Sequence, residues 1–322
     1  MSEQRTFAGL AWERKGKVTR REQFLGEMNA VVPWTRLLAL IEPHYAKAGR
    51  GRQPIGLETM LRIYFVQQWF DLSDPAAEDS IYDSESIRRF VGVELAEDRM
   101  PDETTILRFR HLLERHDLTE AIFGEIRSLL EEKRLLLKSG TIVDATIIHA
   151  PSSTKNRSGK RDPEIKQTRK GKQWYFGMKV HTGTDKRGLT HSLTVTNAAQ
   201  ADIKQMPELL QGKEREVYGD QAYWKEADRR SFKERGVRYK VNRRPTAKNP
   251  LTDQWKRFNR SRSKVRARGE HGYRVVKRQW GFDKVRYRGL AKNRARAYTM
   301  FALANLYMVR RKLMPPGATC AL

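Results

Sequence analysis

Apolar residues along the first 140 positions recur at helical spacing. Leu57–Phe70 (LETMLRIYFVQQWF) is dense in large apolar groups, and the breaker-rich GRGRQPIG before it marks a start, so a buried helix is predicted there. Ser84–Val91 repeats the signal with Ile87, Phe90 and Val91, and Ser84 is the candidate N-cap. Asp102-Glu-Thr-Thr opens another helix, whose apolar face is Ile106, Leu107, Phe109, Leu112 and Leu113. A last helix, about Leu118–Leu137, ends near Ser139-Gly140. Short linked helices of this kind suit either a helix-turn-helix DNA reader or a dimerisation scaffold, and the pattern leaves both open.

At Gly140 the period changes. Thr141–His149 (TIVDATIIH) is a β-branched run bounded by Gly140 and Pro151, which predicts a strand. Ser152–Gln173 then holds a single large apolar residue, Ile165, among eight cations, and reads as a mobile basic loop over 152–173. Trp174–Gly183 and Leu189–Thr196 flank Asp185-Lys-Arg-Gly188 as a hairpin. Alternation puts Trp174, Phe176, Met178 and Val180 on a core face, and Tyr175, Gly177, Lys179 and His181 on the other. Ile203–Leu210 reads as a helix, Glu214–Gly219 as a strand, Lys225–Arg235 as a helix and Val237–Val241 as a strand. A second basic stretch, Arg243–Arg268, with 243–265 expected to be mobile, leads into a helix carrying Glu270; the C-terminal helix covers about Asn293–Lys312. The expected organisation is an all-α N-terminal domain over 1–139 and a mixed α/β domain over 140–322.

Charge divides the chain at the same place. Residues 1–140 hold 21 Lys+Arg against 23 Asp+Glu, whereas residues 141–322 hold 43 against 15, so the net +26 belongs to the second half. A surface that basic attracts a polyanion, most simply nucleic acid. No stretch approaches a membrane span, the N-terminus has no apolar leader, and the one cysteine, Cys320, excludes disulfides and thiolate zinc sites. The seven histidines show no metal-binding spacing. A cytosolic, reduced, polyanion-binding protein is expected.

Carboxylates are scarce in the basic half, and three stand out. Asp144 lies mid-strand among Ile142, Val143, Ile147 and Ile148, where an aspartate is disfavoured unless paired or coordinating a metal. Asp220 follows Val217-Tyr218-Gly219, at the C-terminal end of a strand, where α/β sheets bind ligands. Glu270 follows Arg266 by four residues and precedes Lys277 by seven, so the three share a helix face. That face offers either a carboxylate for metal with two cations for phosphate, or a simple Arg–Glu pair. Phosphodiester chemistry is served by two hard cations held by oxygen ligands, which two aspartates and a glutamate can supply.

At these residues the sequence resembles the bacterial insertion-sequence transposases of the Asp-Asp-Glu type, specifically the insertion-sequence-five family. The likeness runs through SESIRRFVGVEL, PDETTILRFRHLLE, TIVDATIIHAPSSTKN, GKQWYFGMKVHTGTD, VTNAAQADI, VYGDQAY, RARGEHGYRVVKRQWGF and VRYRGLAKN, in the family's order. It implies a ribonuclease-H-like catalytic core with the triad Asp144, Asp220 and Glu270 as metal ligands, and two Mg²⁺ (or Mn²⁺) ions. It also implies action on inverted-repeat ends and target DNA by a homodimer or higher oligomer. The family's helix signature of Tyr, Arg, Glu and Lys is met by Arg266, Glu270 and Lys277, but Ser263 stands at the tyrosine position. Lys155, Lys160, Lys170, Lys172, Lys179, His181, Arg262, Arg266, Arg268 and Lys277 are the expected DNA contacts. Gly269 and Gly272, costly in a helix interior, imply a helix start or a close approach of DNA. Competing readings are a nuclease on the same core that does not join strands, and a DNA-binding protein that has lost catalysis.

Overall fold

Helices α1 (Arg20–Val31), α2 (Trp34–Ile41), α3 (Leu57–Phe70), α4 (Asp74–Asp83), α5 (Glu85–Val91), α6 (Glu103–Arg115) and α7 (Leu118–Glu132) build the first half. The structure, a computed structural model, describes residues 12–314 apart from 13, 51, 158 and 247–249. Cys320 lies outside the described residues. Local chemistry sets the helix starts. Thr19 and Glu22 form a reciprocal capping box on α1, and Asp102 accepts the Thr105 N–H at 2.7 Å at the head of α6. Ser84 precedes α5 but makes no side-chain cap bond; its hydroxyl lies 3.1 Å from that of Ser86.

The second half carries a six-stranded mixed sheet. Its strands are β1 (Gly140–His149), β2 (Lys166–Lys170), β3 (Gln173–Thr184), β4 (Thr190–Asn197), β5 (Glu216–Gly219) and β6 (Arg238–Val241). β1 runs antiparallel to β3, with Asp144 opposite Thr182, while β2 and β4 pair with the first and second halves of β3. β5 runs parallel to β1 and β6 parallel to β5. Helices α8 (Glu226–Glu234), α9 (Asp253–Arg266) and α10 (Leu290–Leu313) flank this sheet. An antiparallel three-strand unit continued by two parallel strands, with helices on its faces, is the ribonuclease-H-like arrangement.

Both basic segments are more ordered than the sequence suggests. Lys166–Lys170 forms β2 and Asp253–Arg266 forms α9, so neither 152–173 nor 243–265 is a loop throughout. Between them, the acids of the first segment tie it down: Asp162 accepts the Gly289 N–H and Glu164 the Leu290 N–H, both at 2.6 Å, at the head of α10. Free N–H groups at a helix start favour carboxylates.

One apolar cluster crosses the boundary near residue 140. It joins Leu61, Phe65 and Trp69 of α3, Ile122 and Ile126 of α7, and Met300, Phe301, Leu303 and Leu306 of α10 with Met178 and Val180 of β3. The C-terminal helix is therefore shared, one side on the N-terminal helices and another on the sheet. Polar links follow the same seam: the Tyr64 and Thr299 hydroxyls meet at 3.0 Å, and Asp71 accepts from Arg286 at 2.7 Å and Arg296 at 2.6 Å. A smaller cluster, with Val143, Leu209, Val217, Tyr223 and Phe232, fills the space under the parallel strands.

Candidate active site

β1 and β5 pair only as far as Ile142 and Tyr218. Beyond that fork β1 continues to His149 while β5 stops, so Asp144 emerges where the ladder opens and Asp220 stands just past the end of β5. Glu270 comes from above, where the chain leaves α9 through a 3₁₀ turn (Ala267–Gly269) into a short helical turn, Glu270–Tyr273. All three carboxylates line one open cleft of about 620 Å³, which also receives Arg266, Lys277 and Lys179.

Asp144 is half-buried, and its Oδ1 accepts the Ala145 N–H at 3.0 Å. Burial pushes its pKa up to about 6; Arg266 and the Ala145 N–H oppose the rise, and the charges of Asp220 and Glu270 add to it. Asp144 is thus within electrostatic reach of both Asp220 and Glu270, while burial sets the direction of its shift. Asp220 Oδ1 accepts the Ala222 N–H at 2.8 Å, capping the 3₁₀ turn Gln221–Tyr223 rather than α8, and its second oxygen is free of that role. Glu270 is exposed to the cleft.

The two cations do not pair with Glu270 as an intrahelical spacing would suggest. Lys277 Nζ donates to the Ile147 carbonyl at 2.9 Å and to Thr146 Oγ1 at 3.2 Å, and burial lowers its pKa. Arg266 faces Asp144, and its buried Nε has no hydrogen-bond partner. Gly269 is explained by packing: a Cβ there would come within 3.1 Å of Ile142 and 3.2 Å of Thr184. At Gly272 a Cβ would meet ordinary contacts at 3.6 Å. Packing thus accounts for the glycine at 269 but not for that at 272, and the helical turn starts at Glu270, one of the two arrangements the glycines implied.

The remaining sequence candidates fall into two sets. Lys155, Lys160, Lys170, Lys172 and Arg268 are exposed, and Lys170 lines the cleft. Lys179 lines it too, but donates to Asp202 and to the Gln200 carbonyl, each at 2.8 Å. Arg262 is half-buried and donates to the Val241 carbonyl at 2.9 Å. His181 does not reach the surface: it is fully buried, hydrogen-bonded through Nε2 to Thr196 at 2.8 Å, and burial lowers its pKa to about 4. Nor is Trp174 in the core. It is 63% exposed, because the apolar cluster under Met178 and Val180 ends before it.

Two residues here escape a sequence reading. Asp202, in the cleft wall, belongs to the segment VTNAAQADI, and its only signal was an acid in a basic half. Tyr273 is buried three residues after Glu270 and donates to the Asp144 carbonyl at 3.0 Å; its hydroxyl also lies 2.6 Å from that of Thr182. It thereby ties the glutamate's helical turn to the aspartate's strand.

Residues 136–306 match the family described as Transposase DDE domain, and residues 12–112 match the Transposase domain (DUF772). The chain belongs to the insertion-sequence transposases of the DDE type. The first match takes in β1 to most of α10, and so every cleft residue named above. The second covers α1 to most of α6. Among the described residues of this transposase, no helix is long and apolar enough to cross a membrane.

Proposed function

We propose that this transposase, of the insertion-sequence-five type, binds the terminal inverted repeats of its own element and hydrolyses a strand at each end. It then joins the exposed 3′-OH to target DNA. The observation that carries this reading is the convergence of Asp144, Asp220 and Glu270 with Arg266 and Lys277 on one cleft.

The donor set suits hard divalent cations. Burial, with smaller additions from the charges of Asp220 and Glu270, raises the proton affinity of Asp144, and a bound cation would reverse that rise. Among the described residues no three acidic or imidazole groups already stand close enough to enclose an ion. Mg²⁺ and Mn²⁺ take few protein carboxylates and complete their shell with water and phosphate oxygen. Asp144, Asp220 and Glu270 would hold two such ions, which activate the attacking oxygen and neutralise the leaving one. The chain's own contribution is positional. Tyr273 and the Ala145 N–H fix Asp144, the 3₁₀ turn fixes Asp220, and Lys277, held on β1, offers charge to a phosphate in the cleft. Arg266, which lines the cleft, offers its guanidinium to a phosphate oxygen once Asp144 is neutralised.

Non-specific affinity is assigned to the exposed Lys155, Lys160, Lys170, Lys172 and Arg268, of which Lys170 lines the cleft, with smaller parts for Lys179 and Arg262. Residues 1–139 serve end recognition or dimerisation, and 140–322 catalysis. Joining two ends requires at least two subunits in one DNA complex.

The test is to incubate the protein with Mg²⁺, duplexes copied from the DNA flanking its coding region, and a target plasmid. Joined products are expected, absent for Asp144→Ala, Asp220→Ala and Glu270→Ala, each of which should still bind the ends. Cleavage without joining would leave a nuclease. Unchanged cleavage by Asp144→Ala would remove the cleft from the chemistry.

A further inference from the structure

The β2–β3 hairpin presents an unpaired aromatic residue on a cationic support. Gly171 and Lys172 form its two-residue turn, with Gly171 at φ 63°, the left-handed backbone that such turns need at their first position. Trp174 stands directly across from Arg169 on the neighbouring strand and is 63% exposed. Arg169, Lys170 and Tyr175 of the same hairpin line the cleft that holds the triad. The Tyr175 ring leans on His149 with centroids 5.4 Å apart, which fixes the hairpin to the end of β1. Trp174 is not itself in that cleft, but an exposed indole among cations beside it fits duplex DNA by charge and by apolar contact with base edges, the thymine methyl above all.

The geometry also supplies a ruler. Asp144 is the strand partner of Thr182, eight residues along β3 from Trp174. At about 3.3 Å per residue the two sites are up to about 26 Å apart. That is the length of about eight nucleotides of a B-form strand.

We propose that the β2–β3 ribbon is a second grip on the substrate duplex, entering the major groove about eight base pairs from the scissile phosphate, with Trp174 against base edges. The major groove, about 12 Å wide, admits a two-stranded ribbon, whereas the minor groove, about 6 Å wide, does not. Arg169, Lys170 and Lys172 take the flanking phosphates. The ruler rests on the function proposed above, because it is measured from the phosphate held by the triad.

The experiment measures binding rather than turnover. End duplexes are trimmed in two-base-pair steps on either side of the cleaved phosphate, and affinities are compared for wild type, Trp174→Ala and Trp174→Phe. On full-length duplex Trp174→Ala is expected to bind about tenfold more weakly, the loss of one base-edge contact in the major groove, and Trp174→Phe to recover most of the affinity. On duplexes ending short of about eight base pairs on one particular side, wild type and Trp174→Ala should converge. Methylation of guanine N7 near that position should weaken wild type and leave Trp174→Ala unchanged. Equal affinities at every length, or a deficit that persists on the shortest duplexes, would overturn the proposal. Interference only by minor-groove methylation would overturn the groove assignment. Asp144→Ala runs in parallel: normal cleavage by that variant would refute the function proposed for the cleft, while the Trp174 length dependence would still be read independently.

Discussion

Lys277 Nζ lies 2.9 Å from the carbonyl oxygen of Ile147, so the cation of the Glu270 helix is anchored on the strand of Asp144. An ammonium has three donors, and Ile147 and Thr146 take two. The third is left for the cleft. Lys277→Ala should lower single-turnover cleavage by about 10²-fold, as removal of one charge-stabilising donor does elsewhere, with end binding little changed. An unaltered rate would place Lys277 outside the chemistry.

Asp144 carries a pH signature. Its pKa rises to about 6 in the folded protein from an ordinary 3.8. Folding therefore favours its protonated form: the associated stability is complete below the unfolded value and is lost as pH rises through 6. Asp144→Asn should thus melt higher than wild type at pH 8 without metal. The difference should be about 1–2 kcal/mol, less than the full shift because the carboxyl is partly open to solvent. It should vanish near pH 4, and excess Mg²⁺ at pH 8 should restore the wild type's position. A metal-free wild type that is the more stable at pH 8 would contradict the cause given for the shift.

Asp71 tests the union of the two halves. It closes α3 in a left-handed conformation, φ 52°, and accepts from both Arg286 and Arg296. Asparagine tolerates that backbone but not the charge balance, and Arg296 is only 3% exposed. Asp71→Asn should cost about 1–2 kcal/mol, less than a fully buried pair because the Asp71 side chain is itself 41% exposed, in a single unfolding transition followed by circular dichroism. Two separate transitions would show that the shared core does not couple the halves.

The exposed cations can be counted in solution. Replacing Lys155, Lys160, Lys170 and Lys172 by glutamine should flatten the dependence of log affinity on log salt, by about 0.9 for each phosphate that these lysines neutralise. An unchanged slope would mean that these side chains face solvent in the complex.

The three carboxylates that meet in the cleft were legible because an aspartate inside TIVDATIIH, another after VYG and a glutamate between two glycines each break a local expectation. Their partners were harder to read. Spacing put Lys277 on one helix face with Arg266 and Glu270, but the chain enters a wider π turn over Arg274–Gln279, and the ammonium meets β1. Lys166–Lys170 (KQTRK) has no apolar residue and becomes a strand only because β3 offers it a ladder. Alternation assigned Trp174 to the right row of side chains, but a period of two does not show where the core beneath that row ends. His181 illustrates the same gap: its position in the strand is readable, whereas its complete enclosure depends on what packs over it.

The sharing of α10 bears on engineering. Met300, Phe301, Leu303 and Leu306 serve the N-terminal helices and the catalytic sheet from one rod, although they lie about 160 residues beyond the apparent boundary at 140. A chimera that exchanged only the first 139 residues to redirect end choice would place foreign helices on a native α10. Compatible grafts must therefore carry the matching face of the last helix with them, so the retargetable unit is discontinuous in the gene although contiguous in space.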